Sequence, residues 1–347
     1  MPGASNRLTL LASLSVVLVV LHLGRPIVIP FLLGLLIAIG VSGVLRLSER
    51  GIPRWLTVSL ACVVAVGLCA GLGWLFALAL DDLAADWPTY RQAWNRVQIQ
   101  VVRWFWRHRL GASATVVRDL DPEEAAMDLA LPGIAVATRI GSSILLALMI
   151  AVFLLIEGAA VSPKLKRMEK LGVLDAAVFR EAASKVQRYL WIKTVTSVAE
   201  GVLVGALTAM VGLRHALLFG LLAFVLNFIP NVGSLIAMVP AVLLGVLTMG
   251  WSAGLVLIAG YGLINVAIGL ILEPRWMSEA AGLSPSIVIL SMVFWGFVLG
   301  PAGALLSVPL MMIVRITAGQ SPDWAWLEIL LESPRRVFKE EKKSQTP

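Results

Sequence analysis

Charge is what this chain has least of. Only 14% of its 347 residues are Asp, Glu, Lys or Arg, against about a quarter in an average soluble protein. With 59% hydrophobic residues and a mean hydropathy of +0.89, that shortage excludes a soluble globular domain and makes the bilayer the solvent. Cysteine is scarce as well. Cys62 and Cys69 lie in one apolar run, form neither a CxxC pair nor a disulfide framework, and read as small hydrophobes. The three histidines, His22, His108 and His215, have no metal-ligand spacing, so no metal is expected. No G-x-x-x-x-G-K-S/T occurs, which excludes ATP-driven transport by this chain alone. G-x-S-x-G and H-E-x-x-H are missing too, and without paired catalytic groups neither an enzyme nor a cofactor is expected.

In place of charge the chain has long apolar runs. They cover residues 8–23, 27–47, 56–80, 140–156, 195–213, 217–229, 232–249, 255–272 and 287–316, and several approach the ~20 residues that span a bilayer. The first run has no small-x-small cleavage site in LHLGRP, so it reads as a retained helix rather than a signal peptide. Arg46, Arg50 and Arg54 follow the second run, which puts that loop and the N-terminus in the cytoplasm. Lys164, Lys166, Arg167, Lys170, Arg180, Lys185, Arg188 and Lys193 fit the same orientation. If every later run crossed, the tail with Arg335, Arg336, Lys339, Lys342 and Lys343 would end outside. One re-entrant element around residues 230–240 returns it to the cytoplasm. The net charge of +7 would suit nucleic acid, but its cations flank apolar runs, the pattern of topology and anionic lipid.

The expected fold is all-α: a polytopic transmembrane helical protein of about eight membrane segments, with interrupted or re-entrant elements in its C-terminal half. Residues 1–80 would hold three membrane helices, 81–138 an extramembrane insertion, 139–318 the C-terminal bundle with a cytoplasmic amphipathic stretch at 158–192, and 319–347 a polar tail. In the insertion, Trp87, Trp94, Val97, Val101, Trp104 and His108 recur at three- and four-residue steps among Arg91, Arg96, Arg103 and Arg107. Such a helix suits the headgroup layer, and equally a packed position on its neighbours or on another subunit. Asp121-Pro122-Glu123-Glu124 reads as a helix start. Asp81-Asp82-x-x-x-Asp86 has the acids for magnesium diphosphate, but no second cluster faces it, and it reads as a solvated helix end.

Residues 217–315 combine extreme apolarity with breaks at Pro230, Gly233, Pro240, Pro274, Pro285, Gly300, Pro301, Gly303 and Pro309. Broken helices survive in hydrocarbon only when buried in protein or lining a wet cavity. Three strings there, NFIPNVG, LEPRW with AGLSP close behind, and GFVLGPAGALLSVPL, resemble the autoinducer-2 exporter family of bacterial membrane permeases. The resemblance covers the C-terminal third in detail and the rest in architecture. It implies structural roles for Pro274, Pro285, Gly300, Gly303 and Pro309. Glu273 departs from it, since many members carry Gln there. The family implies a permease exporting a small polar solute, possessing relatives that exchange sodium or lithium for protons, and it implies a homo-oligomer.

The residues themselves supply pathway candidates. Glu200 is an acid well inside an apolar run, on a helical stripe with Lys193, Thr196 and Ser197. It reads either as a proton- or cation-handling carboxylate or as a group paired with Lys193 near a helix end. Asn227 and Asn231 flank the break at Pro230, with Gly233 freeing the chain; they suit a solute or cation, or simply a turn. Asn265 and Glu273 lie on the next segment, where Glu273 and Arg275 would form an interfacial ion pair. The function expected is a multi-pass inner-membrane permease for a small polar solute, or for monovalent cations and protons. The alternative is a membrane scaffold without transport.

Overall fold

A computed structural model of the chain describes residues 4–107, 143–158, 167, 176–230, 232–277, 282–320 and 324–331. His108, Asn231, the helix start at Asp121 and the basic tail from Arg335 lie outside the described residues. Every regular element among the described residues is helical. This suits hydrocarbon, because a helix pairs its own backbone groups within one segment.

Helices α1 (Ala4–Leu23) and α2 (Arg25–Val41) meet at Gly24, and a 3₁₀ run, Ser42–Arg50, carries the basic loop. Helix α3 (Arg54–Ala85) has 32 residues, more than a bilayer needs, and so continues past Leu80 to carry Asp81 and Asp82 on its last turns. Helix α4 (Trp87–Arg107) is the amphipathic one, and α5 (Ser143–Gly158) packs on α2 and α3 through Ala38, Ala61, Ala151 and Leu155. Helix α4 turns Tyr90, Ala93 and Trp94 inward and packs against the later helix Gly233–Met249, so one of its faces is a packed one. The amphipathic lead-in at 176–189 and the fifth apolar run are a single helix, α6 (Ala176–Val211). Then come α7 (Ala216–Leu226), α8 (Gly233–Met249) and α9 (Trp251–Asn265). A π-helical stretch, Val266–Leu272, joins α9 to α10 (Glu273–Met277). Helices α11 (Pro285–Leu299), α12 (Pro301–Ala318) and α13 (Ala325–Leu331) finish the described chain.

Among the described residues, five helical stretches are long and apolar enough to cross a membrane: Arg25–Leu45, Arg54–Ala85, Arg180–Val211, Trp251–Leu272 and Pro301–Ala318. Leu60, Val63, Leu68, Leu255, Leu270 and Phe297 point outward from the bundle, which lipid accepts and water would not. The fold is an all-α, multi-pass membrane protein.

Two helical hairpins face opposite ways along α6. Helix α7 has 11 residues, about 16 Å or half a bilayer. It leaves the C-terminal end of α6, and α8 returns there, since a Cβ on Gly212 would lie 3.2 Å from Met249 Cε. The pair is therefore re-entrant, with Asn227 and Pro230 on one side of its tip and Gly233 on the other. Gly201 and Gly220 let α6 and α7 cross closely: a Cβ on either would meet the other's carbonyl oxygen at 2.8 or 2.7 Å. The Gly201-x-x-x-Gly205 motif thus packs inside the chain. The second hairpin, α11–α12, has its open end at the N-terminal half of α6, where Tyr189 packs with Leu283, Val308 and Met312.

Candidate functional site

Four polar residues occupy one stripe of α6, and all are buried: Lys193 at 2% exposure, Thr196 and Ser197 at 0%, and Glu200 at 3%. Steps of three and four residues put them on one face. Charges inside a span are tolerated only when paired or facing water. Lys193 Nζ donates to Glu273 Oε1 at 2.5 Å and to Asn227 Oδ1 at 3.3 Å. The Asn227 amide, in turn, donates from Nδ2 to Ser197 Oγ at 3.1 Å, which aims its oxygen at the ammonium. Thr196 Oγ1 donates back to the Lys193 carbonyl at 3.0 Å and so consumes its own hydroxyl locally.

Each partner arrives through a local break. Asn227 caps the C-terminus of α7, where Ile229 N–H donates to the Leu226 carbonyl and Val232 N–H to the Pro230 carbonyl. Pro230 cannot continue the helix. Gly233 closes the turn, because a Cβ there would overlap the Leu226 carbonyl. Glu273 follows the π-helical stretch, whose extra residue per turn re-aims everything after it. That rotation brings Glu273 to Lys193 rather than to Arg275.

Glu200 stands about two turns from Lys193 along the axis and about 16 Å from the C-terminal end of α6, near mid-bilayer depth. It lies within Coulombic range of Lys193 and Glu273. No side-chain hydrogen bond reaches it among the described residues. Tyr261 on α9, buried to 4% exposure, is within Coulombic range of Glu200, and its hydroxyl has no hydrogen-bond partner among the described residues. The site therefore holds two carboxylates, one ammonium, an amide and an unpartnered phenol. Among the described residues no set of three or more His, Cys, Asp or Glu is gathered that could hold a metal ion.

Of the sequence-derived candidates, Glu200, Asn227 and Glu273 come together. Pro230 and Gly233 shape the tip beneath them, and Asn231 lies outside the described residues. Asn265 stays apart: its Oδ1 lies over Gly269 of its own helix. Pro274 lies in the short α10, Pro285 starts α11, Gly300 turns the second hairpin, Gly303 allows it to close, and Pro309 lies buried inside α12. Lys193 pairs with Glu273, not with Glu200 as the stripe alone suggested. Ser197 was visible on that stripe; Tyr261 gave no signal, since a tyrosine in an apolar run is ordinary core.

A buried ion pair beside a broken helix in a helical multi-pass protein is the arrangement in which membrane transporters place their substrate and ion sites. Residues 11–322 match the model of the AI-2E family transporter, and the chain belongs to that family. It is 34% identical over 326 residues to the AI-2 transport protein TqsA of Escherichia coli strain K12, covering 93% of this chain and 94% of that one. A Haemophilus influenzae relative is 30% identical over 329 residues, covering 92% of this chain and 94% of its own. YhhT of Escherichia coli K12 is 30% identical over 326 residues, 92% of each.

Proposed function

We propose that this chain is an inner-membrane permease that exchanges sodium or lithium for protons through Lys193, Asn227, Glu200 and Glu273. One observation carries the reading: two carboxylates share a buried site with a single ammonium. A buried carboxylate without a counter-charge takes up a proton or a cation. Proton and cation then compete for the same oxygens, which is the chemistry of exchange. On this reading the N-terminus and the loop with Arg46, Arg50 and Arg54 are cytoplasmic. The ion pair then lies toward the cytoplasmic face, and the first hairpin opens outward. The working unit is a homo-oligomer in the bilayer.

Likeness to TqsA, an AI-2 transport protein, favours a second reading, export of a small polar solute. Asn227, Ser197 and Lys193 would offer it donors and acceptors. Proton movement in proteoliposomes on adding sodium or lithium separates the two. Cation-dependent flux that Glu200→Gln abolishes supports the exchanger. No flux from folded parent protein, with uptake of a labelled polar solute instead, supports export.

A further inference from the structure

We infer that Lys193 is a tethered stand-in for the transported ion: its ammonium fills a monovalent-cation seat made by Glu273 and Asn227, and sodium or lithium enters by displacing it toward Glu200. The inference rests on the exchange reading above and deepens it.

The seat has the right chemistry. Oxygens alone hold the ammonium, a carboxylate at 2.5 Å and an amide carbonyl at 3.3 Å, and hard cations stripped of water take the same ligands. Ser197 accepts the Asn227 amide hydrogen at 3.1 Å and so keeps the amide oxygen, not its nitrogen, toward the seat. A displaced ammonium also has somewhere to go. Glu200 lies on the same face of α6, within Coulombic range of Lys193, and has no hydrogen bond of its own among the described residues. The lysine stem is long and flexible enough to serve two carboxylates in turn.

Near Glu200, the Tyr261 hydroxyl on α9 is buried and makes no hydrogen bond among the described residues, so it is available to a carboxylate or ammonium that moves there. The ionisable groups around Glu200 are Lys193 on α6, Glu273 at the start of α10 and Tyr261 on α9; Tyr189 faces Glu273. Helices α7 and α8 carry no ionisable side chain.

The exchange step balances. With the ammonium on Glu273, Glu200 holds a proton. A sodium ion binds Glu273 and Asn227, the ammonium moves to Glu200, and the Glu200 proton leaves to water. One cation enters, one proton departs, and the charge of the site is unchanged.

Binding of radioactive sodium to the purified full chain in detergent tests this, with Lys193→Gln and Lys193→Arg beside the parent. Emptying the seat in Lys193→Gln should tighten sodium binding roughly tenfold, and the fixed, forked charge of Lys193→Arg should weaken it by a similar factor. Opposite shifts support the inference, and one folded variant suffices if the other fails to fold. Parent-like affinity in a folded variant overturns it, as does weakening in Lys193→Gln or no sodium binding by the parent. Vesicle flux keeps the two ideas apart. A parent that exchanges while both variants bind as it does leaves the exchanger standing and removes the role of Lys193. A parent without flux removes the exchanger, and the binding series then decides the seat alone.

Discussion

Both hairpins break an apolar helix inside a membrane protein, and each settles the loose backbone groups differently. At the tip of α11–α12, Gly300 adopts φ 74° and Gly303 sits where a Cβ would overlap the Trp295 carbonyl. The carbonyls of Phe297 and Val298 are capped by Arg25, from Nη2 at 2.6 Å and Nε at 2.7 Å. Those contacts close the tip with structural partners. At the tip of α7–α8 the turn also bonds to itself, but Asn227 is left facing a lysine and a serine of α6, with a glutamate completing the group. Proline and glycine thus mark where a helix breaks, and the polar group beside the break decides whether it has chemistry to offer.

The difference should be largest when a charge is removed. Glu273→Leu leaves the buried Lys193 ammonium with the Asn227 oxygen and the more distant Glu200, so we expect a loss of about 3 kcal/mol in urea unfolding in micelles. Lys193→Met with Glu273→Leu removes the pair together and should return to within about 1 kcal/mol of the parent. On the exchange reading neither variant should move cations. A double variant as unstable as the single one would mean that the ion pair does not set the energetics of this tip.

Geometry should matter equally at both tips. Gly233→Ala and Gly303→Ala each force a Cβ into a backbone carbonyl, with an expected cost of about 1–3 kcal/mol by the same unfolding measurement. Gly67→Ala on α3 has nothing within 4 Å and should stabilise its helix by up to about 1 kcal/mol. If Gly303→Ala alone is tolerated, the second hairpin closes more loosely than its contacts indicate.

Arg25→Met asks whether the second tip is structural only. Losing a charged donor to two carbonyls should cost about 1.5–3 kcal/mol, while flux per folded molecule stays at the parent level. Lost flux with stability intact would put α11–α12 in the pathway and break the comparison.

How much of this was legible beforehand follows from what each signal depends on. The all-α membrane fold was plain from low charge and long apolar runs, and the helix break beside Asn227 from Pro230. Glu200, Asn227 and Glu273 stood out because polar atoms are costly in such runs. The pairing did not, because the π-helical stretch re-aims Glu273 at Lys193 and the short α7 brings Asn227 to the same ammonium. Asn265 gave the same polar signal as Asn227 and lies apart, which periodicity without a π stretch cannot tell. The Asp86–Arg214 pair joins distant loops and left no local pattern.

That pair latches the open end of the first hairpin and should have the smallest effect. Arg214 Nη1 donates to both Asp86 oxygens at 2.8 Å, with Tyr90 packed on His215, a non-glycine residue at φ 62°. Arg214 is mostly exposed, so Arg214→Gln should cost less than about 1 kcal/mol, and less still in high salt. The latch has an alkaline limit as well. Burial, then Asp86, pushes the Tyr90 phenol above its ordinary 10.0, with Arg214 opposing. The folded protein therefore keeps a proton that the unfolded chain releases, so this contribution is intact below pH 10 and declines as pH rises through the folded value. Tyr90→Phe should flatten the fall in melting temperature above pH 10. An unchanged slope would assign it to other groups and leave the latch a purely electrostatic contact between Asp86 and Arg214.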